Sequence, residues 1–588
     1  IGVNKMAEKI VSPGVFTREN DLSFLSQGIG EIGAAIVGPT VKGPVEIPTT
    51  VTSYNEYVRV FGDTFESGST KQEFFTSMAA KNYFSQGGDS LLVARVVSAS
   101  GTWGAASSTH ISASSNGGTP SFTLATQGQG VLYNNCTGSG LYVGATEENS
   151  DGSLKSGSVD NLRWEVSNVS NTLGTFTLSV RRGDDSSKNK VVLETFNNLS
   201  LDPNADNYIE KAIGNQVKAI AGTSDNITTT GEYINKSNYI RVSAVNSPTI
   251  NYIGNDGNIR VGSLSGSLPT TDSGSFHSAT GRIVPLATAN KYFGDIDTNT
   301  QGLIAADYAS IITLLNNADD FKFNVISAPG LIDSVSGHTA TIGNIISLAE
   351  SRGDCIFVLD IRKYNEGTVA SAAAQTATLN SSYAATYWPW LQTQSSTGKN
   401  EWVPASTVIP GVYAFTDSAA APWFAPAGLV KGGIPNVIQA ERKVSREQRD
   451  LLYRSNVNPI ATFPGQGIAV YGQKTLQKKA SALDRVNVRR LLIELKRFIG
   501  GQANNLVFEQ NTIATRNKFL AIVNPYLESV VQRQGLYAYR VVMDDSNNTA
   551  DIVDRNQIVG QIFIQPAKTA EFVVLDFTIE PTGATFVA

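Results

Sequence analysis

Helical periodicity runs through residues 11 to 100, almost disappears between 101 and about 280, and returns from 281 onward. No other feature constrains the fold of this chain as strongly. A long stretch with a two-residue hydrophobic repeat cannot continue a strand-helix-strand layer, so it must be carried as one or two domains inserted into that layer. In the first block, Ala34-Ala35-Ile36-Val37 reads as a strand stopped by Gly38-Pro39. A helix is expected around Tyr54 to Val58, capped by Thr52 or Ser53. A second is expected over Ser69 to Ser85, with Phe74, Phe75, Met78, Ala79 and Phe84 at three-to-four spacing, and a strand over Ser90 to Val97 follows.

In the interrupting segment, alternating runs such as Thr175-Phe176-Thr177-Leu178-Ser179-Val180 are separated by Asn, Gly, Asp and Ser turns, with one helix near Asn207 to Asn215. After it, Phe323 to Ser327 is expected as a strand ended by Pro329-Gly330. A helix over Thr339 to Arg352 then precedes the apolar run Cys355 to Leu359. Strand, helix, strand implies a parallel crossover. A Ser/Ala/Thr-rich stretch, Thr368 to Ser382, leads to an aromatic cluster at Tyr383, Tyr387, Trp388 and Trp390. The last block carries the strongest helices. Ala482 to Ile499 places Leu483, Val486, Leu491, Leu492, Leu495 and Phe498 on one side, with Arg485, Arg489, Arg490, Lys496 and Arg497 over much of the rest. A further helix is expected over Thr512 to Gln534, and a closing strand has Val573, Leu575, Phe577 and Ile579 on one face.

A chain of 588 residues exceeds one compact core and should hold three or four domains. The expected class is multidomain α/β (α+β). Residues 1–33 are an N-terminal arm, 34–100 and 281–432 an α/β middle domain, and 101–280 the inserted β-rich part. Residues 433–567 form an inner C-terminal domain, and 568–588 a C-terminal strand. Both ends look like arms. Ser12-Pro13-Gly14-Val15-Phe16 and Gln565-Pro566 through Phe572-Val573-Val574-Leu575 are extended, proline-punctuated and apolar in alternation, which suits pairing with something else better than a closed hairpin.

Charge is uneven. The net charge is −5, yet residues 431 to 500 hold 14 Lys/Arg against 5 Asp/Glu. A solvated helix face, docking on an acidic protein surface and nucleic-acid binding all remain open for that basic block, the last weakened by poor aromatic interleaving. Charged residues make up only 16%, with abundant Gly and Ser, a bias seen in virion and cell-surface proteins.

Catalytic and ligand motifs fare poorly. Gly28-Ile29-Gly30-Glu31-Ile32-Gly33 fits the dinucleotide fingerprint in letters, but a polar arm precedes it and a strand follows, the reverse of the strand-then-helix context that the chemistry needs. The three histidines, His110, His277 and His338, are isolated from one another, so no metal site is expected. Cys136 and Cys355 are far apart in sequence, and Cys355 reads as an inert core thiol. No apolar run approaches the ~20 residues needed to span a bilayer, and Ile1 to Ile10 lacks a signal-peptide apolar region. Acidic pairs such as Asp184-Asp185 and Asp544-Asp545 sit in turn-like sequence. The expectation is no enzyme and no cofactor. The alternative, a secreted β-rich adhesin or hydrolase, is suggested by composition and opposed by the missing signal peptide.

In order along the chain, Ser12-Pro13-Gly14-Val15, Val37-Gly38-Pro39 with Gly43-Pro44, Tyr54 to Tyr57 ahead of Phe61-Gly62, and Arg95-Val96-Val97 form a series. It continues through Glu194-Thr195-Phe196-Asn197-Asn198, Ala328-Pro329-Gly330 and Arg352-Gly353-Asp354-Cys355. It ends in Tyr471-Gly472-Gln473-Lys474-Thr475, Asn487-Val488-Arg489-Arg490-Leu491 and Ala570-Glu571-Phe572. This series resembles the contractile tail sheath proteins of phage tails and related contractile injection systems, with Tyr471 where the family usually has Trp. The resemblance implies a homo-oligomeric sheath of hexameric rings, stacked helically around an inner tail tube. It also implies baseplate and tail terminator proteins as partners, without direct nucleic-acid contact or membrane insertion, and a place in the virion tail after assembly in the host cytoplasm. It further implies that arms bearing Pro13, Val15, Phe16, Phe572, Val574, Leu575 and Phe577 join the sheets of neighbouring copies. Arg485, Arg489, Lys496 and Arg497 are expected to face the tube.

Overall fold

Runs such as Ala34-Ala35-Ile36-Val37 and Ile356-Phe357-Val358-Leu359 are apolar at every position, so a strand made of them must be covered on both faces. The computed structural model describes residues 33–67, 70–99, 101–112, 119–133, 148–220, 226–254, 256–281 and 296–571, and in it these runs form the centre of one eight-stranded sheet. In chain order the first elements are β1 (Ala34–Gly38), β2 (Thr49–Val51), α1 (Tyr54–Phe61), α2 (Phe75–Ser85) and β3 (Leu91–Arg95). The inserted strands are β4 (Ala105–Ile111), β5 (Pro120–Gln129), β6 (Leu162–Ser170), β7 (Thr175–Arg182), β8 (Val192–Ser200), β9 (Ile240–Val245) and β10 (Asp272–Ser275). The layer resumes with β11 (Val325–Ile332), α3 (His338–Arg352), β12 (Ile356–Asp360), β13 (Ala384–Trp388), α4 (Ile409–Ala419), β14 (Asn458–Phe463) and β15 (Gly467–Val470). Last come α5 (Val486–Asn504), α6 (Ile513–Gln532), β16 (Leu536–Val542) and β17 (Gln561–Pro566).

The sheet order is β2-β3-β1-β11-β12-β13-β14-β15. Its six inner strands are parallel, and the edge strands β2 and β15 are antiparallel to their neighbours. Ala34 pairs with Leu91 on one side and Val325 on the other. Side chains then alternate between two cores. Ile36, Val93, Val325, Ile356 and Tyr387 meet Tyr57, Phe75, Met78 and Val412 of α1, α2 and α4, while Ala35, Leu92, Ile326, Phe357 and Trp388 meet Ile342, Ile345 and Leu348 of α3. Helices on both faces of a parallel sheet make this a doubly wound layer. The chain as a whole is multidomain and mixed α/β.

The cap of α1 is as expected, and other local expectations shift. Helix α1 starts on Ser53, whose Oγ accepts from the Glu56 N–H at 3.2 Å. Helix α2 begins at Phe75 rather than Ser69, because Thr64–Ser67 and Thr70–Glu73 pair as a hairpin and the Phe65 and Phe74 rings stack at 4.8 Å. Strand β11 does not end at Pro329-Gly330. It runs through them to Ile332, with a break in its ladder to β12 between Ser327 and Ile332. Proline has no N–H to give the ladder, and the bulge removes the need for one. Gly330 sits at φ +102, and a side chain there would run into Thr300 and Gln301, whose own side chains bond the Gly330 and Pro329 carbonyls. The sheet also runs past residue 432, since β14 and β15 complete it.

In the inserted segment a four-stranded antiparallel sheet, β8-β7-β6-β10, and a three-stranded one, β9-β5-β4, enclose a core of their own with Phe122, Leu124, Trp164, Val166, Phe176 and Leu178, and Val217–Ile220 pairs with Ile227–Thr230 as a separate ribbon. His110 lies between the rings of Phe122 and Trp164, at 4.3 and 4.1 Å, and burial pushes its imidazole down to about 3. It is a neutral core group there.

Asp360, at the end of β12, is 3% exposed, and its oxygens accept from the Ser406 N–H at 3.1 Å and Oγ–H at 2.5 Å. Burial pushes its carboxyl up to about 7 despite those two bonds. The folded chain therefore holds a proton through a range in which the unfolded chain has lost it. The contribution of Asp360 to stability should be full below pH ~4 and be lost through neutrality, ~4 kcal/mol in all. Thermal melts between pH 5 and 8.5 should show that decline, and Asp360→Asn should flatten it. An equal slope in the variant would refute the assignment.

Candidate functional site

The C-terminal unit is built on α5. Ser481 Oγ accepts the Leu483 N–H at 3.2 Å in the turn before it, and Arg485 occupies its N-cap. The first turns of α5 are buried all round, Val486 through Leu491 without exception. Leu491 and Leu495 pack with Phe519, Val523, Leu527 and Val530 of α6, with Trp423 and Leu536 alongside. The Phe498 and Tyr526 rings stack at 3.7 Å. Against this helix pair lies the antiparallel pair β16–β17, in which Tyr539 faces Ile564 and Val541 faces Ile562. Tyr537 and Phe563 are exposed at 65% and 55%. Among the described residues no third strand joins either edge of this pair.

The four basic residues expected on one outward face are divided. Arg489 is 4% exposed. Its guanidinium lies 3.9 Å from the Tyr383 ring centre and bonds the Ser382 carbonyl and hydroxyl. Lys496, two turns on and exposed, approaches the Tyr383 hydroxyl at 3.3 Å. Arg497 pairs with Glu494 at 2.9 Å, and Arg485 bonds Glu571 and Asp484. Much of the basic side of α5 therefore turns toward the α/β body. Helical periodicity shows which residues share a face; it does not show that Ser382, Tyr383, Asp417 and Glu571 wait opposite with acceptors and rings.

Glu571 belongs to the Ala570-Glu571-Phe572 motif, which by itself gives the residue no role. Burial alone would raise its carboxyl, but hydrogen bonds from Arg485, Tyr453 and Gln473 outweigh that and hold it below the ordinary glutamate value. The strands β16 and β17 were also unread, although Tyr537-Ala538-Tyr539-Arg540-Val541-Val542 is rich in β-formers. The arm residues Pro13, Val15, Phe16, Phe572, Val574, Leu575 and Phe577, the glycines 28 and 30, and Cys136 lie outside the described residues.

Among the described residues no group of three or more His, Cys, Asp or Glu side chains is arranged to hold a metal ion, and no helix is long and apolar enough to cross a membrane. Cys355 is fully buried, which pushes its thiol up, away from reactivity.

Residues 305–476 match the family model described as phage tail sheath protein central domain. The tail sheath protein of Vibrio phage KVP40 is 40% identical over 188 residues, 32% of this chain and 28% of that one. The tail sheath protein of Enterobacteria phage T4 is 40% identical over 187 residues, with the same two shares. The match thus spans under a third of either relative's length. A crystallised sheath tail protein from Listeria innocua superposes with a TM-score of 0.51 over 92% of this chain and 96% of that one. At 9% identity this is a likeness of fold.

Proposed function

We propose that this chain, which belongs to the contractile tail sheath family, polymerises in the virion tail as helically stacked hexameric rings around an inner tube and contracts to drive that tube through a cell envelope. The observation that carries this reading is the open two-stranded sheet β16–β17, packed on α5 and α6 and bracketed in sequence by two arm-like ends. Strand addition supplies main-chain hydrogen bonds worth roughly 0.5–1.5 kcal/mol each, with alternate side chains setting register. In this reading arms from neighbouring copies complete the sheet on both edges. The drive for contraction is the difference in interface free energy between two lattices of one subunit, so the work needs no nucleotide and no catalytic group.

Of the four cations expected on the tube, the exposed Lys496 is the one this reading keeps for that contact, since Arg489 is buried and Arg485 and Arg497 pair with Glu571 and Glu494 within the chain. Weak, wet ion pairs suit a contact that must release. The inserted sandwich of 101–281 would project away from the tube, and 486–566 would face it. Baseplate and terminator proteins would cap the two ends.

Purified full-length chain should form long tubes visible by negative-stain microscopy. Deleting 572–588 should leave a folded monomer and cut the sedimentable polymer at least tenfold. Tubes of ordinary yield from the truncated chain would refute arm exchange.

A further inference from the structure

The carboxylate of Glu571 stands five residues beyond β17, where the expected C-terminal strand begins, and three separate parts of the chain converge on it. Arg485 Nε donates to Oε1 at 2.7 Å and Nη2 to Oε2 at 3.0 Å, a two-pronged pairing. Tyr453, from the helix Arg446–Arg454, donates its hydroxyl to Oε2 at 2.8 Å. Gln473, 3% exposed and just past β15, donates to Oε1 at 3.1 Å and to Thr569 Oγ1 at 2.5 Å. Arg485 is itself steadied by Asp484 at 3.0 Å. Glu571 keeps only 18% of its side-chain exposure. Four hydrogen bonds on one shielded carboxylate far exceed an ordinary surface ion pair.

The position of this cluster is informative. Among the described residues strand β17 pairs with β16 alone within its own chain, so a pull along the chain beyond it would load the end of that two-stranded ladder first. A side-chain clamp downstream of β17 diverts such a pull into the segment after β15, the helix at Arg446–Arg454 and the N-cap of α5, where the C-terminal unit meets the α/β body. We propose that Arg485, Tyr453 and Gln473 hold Glu571 as an anchor at the root of the C-terminal arm. Displacement of the arm then begins after residue 571 and leaves β17 in place. Glu571 and Arg485 are positioning residues for assembly, acting through the segment that follows. This inference rests on the arm-exchange reading.

The test compares wild type, Glu571→Ala, Glu571→Gln and the swapped pair Arg485→Glu with Glu571→Arg, all full length. Tubes are sheared at graded rates, and hydrogen exchange is followed over 561–571 in monomers and in tubes. Glu571→Ala monomers should melt within a few degrees of wild type, while their tubes break at about one tenth of the wild-type shear rate. Exchange over β17 should rise about tenfold in tubes and no more than about threefold in monomers. Glu571→Gln, which keeps the shape and loses the charge, should fall between, and the swapped pair should recover at least half of the shear resistance. Wild-type resistance in Glu571→Ala, or equal exchange gains in monomer and tube, would overturn the anchor. Folded Glu571→Ala that makes no tubes supports it if the swap restores them and overturns it if the swap does not. Undiminished tubes from the 572–588 deletion would sink arm exchange instead.

Discussion

Replacing Arg490 with alanine should loosen the C-terminal unit from the sheet, at a cost of ~3–5 kcal/mol, because it strands a charge. Arg490 is 3% exposed and reaches from α5 to Asp417 Oδ2 on α4 at 2.5 Å. Its guanidinium also lies 4.6 Å from the Tyr413 ring centre. Tyr413 and Tyr387 share a hydroxyl–hydroxyl bond of 2.7 Å, so the contact continues into β13. The other Asp417 oxygen, Oδ1, is buried without a hydrogen-bond partner. Burial raises the Asp417 carboxyl and Arg490 draws it back; without Arg490 only the charge of Arg497 opposes the burial. Hydrogen exchange should show faster opening of α5 and α6 with the inserted sandwich untouched. Arg490→Lys should lose less, since it keeps the charge but not the planar stacking. Arg490→Met with Asp417→Leu should recover much of the loss, because removing both charges leaves neither unpaired. Exchange in Arg490→Ala equal to wild type would refute this account.

A comparable loss is expected in the insert from Asp185→Ala. Asp185 is fully buried between two arginines. Oδ1 accepts from Arg163 Nη1 at 3.0 Å and Arg181 Nη2 at 2.9 Å, and Oδ2 from Arg181 Nε at 2.7 Å and the Val191 N–H at 3.0 Å. Glu148 pairs with Arg163, and Glu165 with Arg181 and Lys190, so three carboxylates balance three cations. Removing Asp185 leaves one buried positive charge in excess. The expected loss is ~3–5 kcal/mol, which for a domain of this size lowers its melting point by roughly 10–15 °C. Because the sandwich has its own core, calorimetry should resolve its transition moving down while that of the sheet stays. Asp185→Asn, which keeps acceptor oxygen on one side, should fall between. A joint shift of both transitions would show that the insert is not an independent folding unit.

Asp184-Asp185 illustrates the limits of reading residues in order. As sequence it is a turn with two acids, and Asp184 fits that description, paired with Arg182 at the surface. Asp185 does not, because β6 and β7 bring Arg163 and Arg181 across the sheet to it, and that register is a property of pairing. The same holds for α5. Its apolar stripe and its cations were plain from spacing, whereas the burial of Arg489 and Arg490 depends on Tyr383 and Asp417 arriving from elements 70 to 110 residues earlier. Elements fixed by local periodicity were found close to their true bounds, as with β1, α1, α3 and β12. Those fixed by partners, such as the hairpin before α2 and the passage of β11 through Pro329, were not.

Sequence alone determined the alternation of strand and helix, the interruption of that layer by a β-rich insert, and the family series that recurs along the chain outside about 101–160 and 220–280. Each of these is written in neighbours a few residues apart. Tertiary structure decided which strands adjoin, which charges are spent inside the chain, and that β16 and β17 pair with each other apart from the large sheet. Those outcomes depend on contacts between residues distant in sequence, whose free energy is set by burial and geometry that no local pattern encodes.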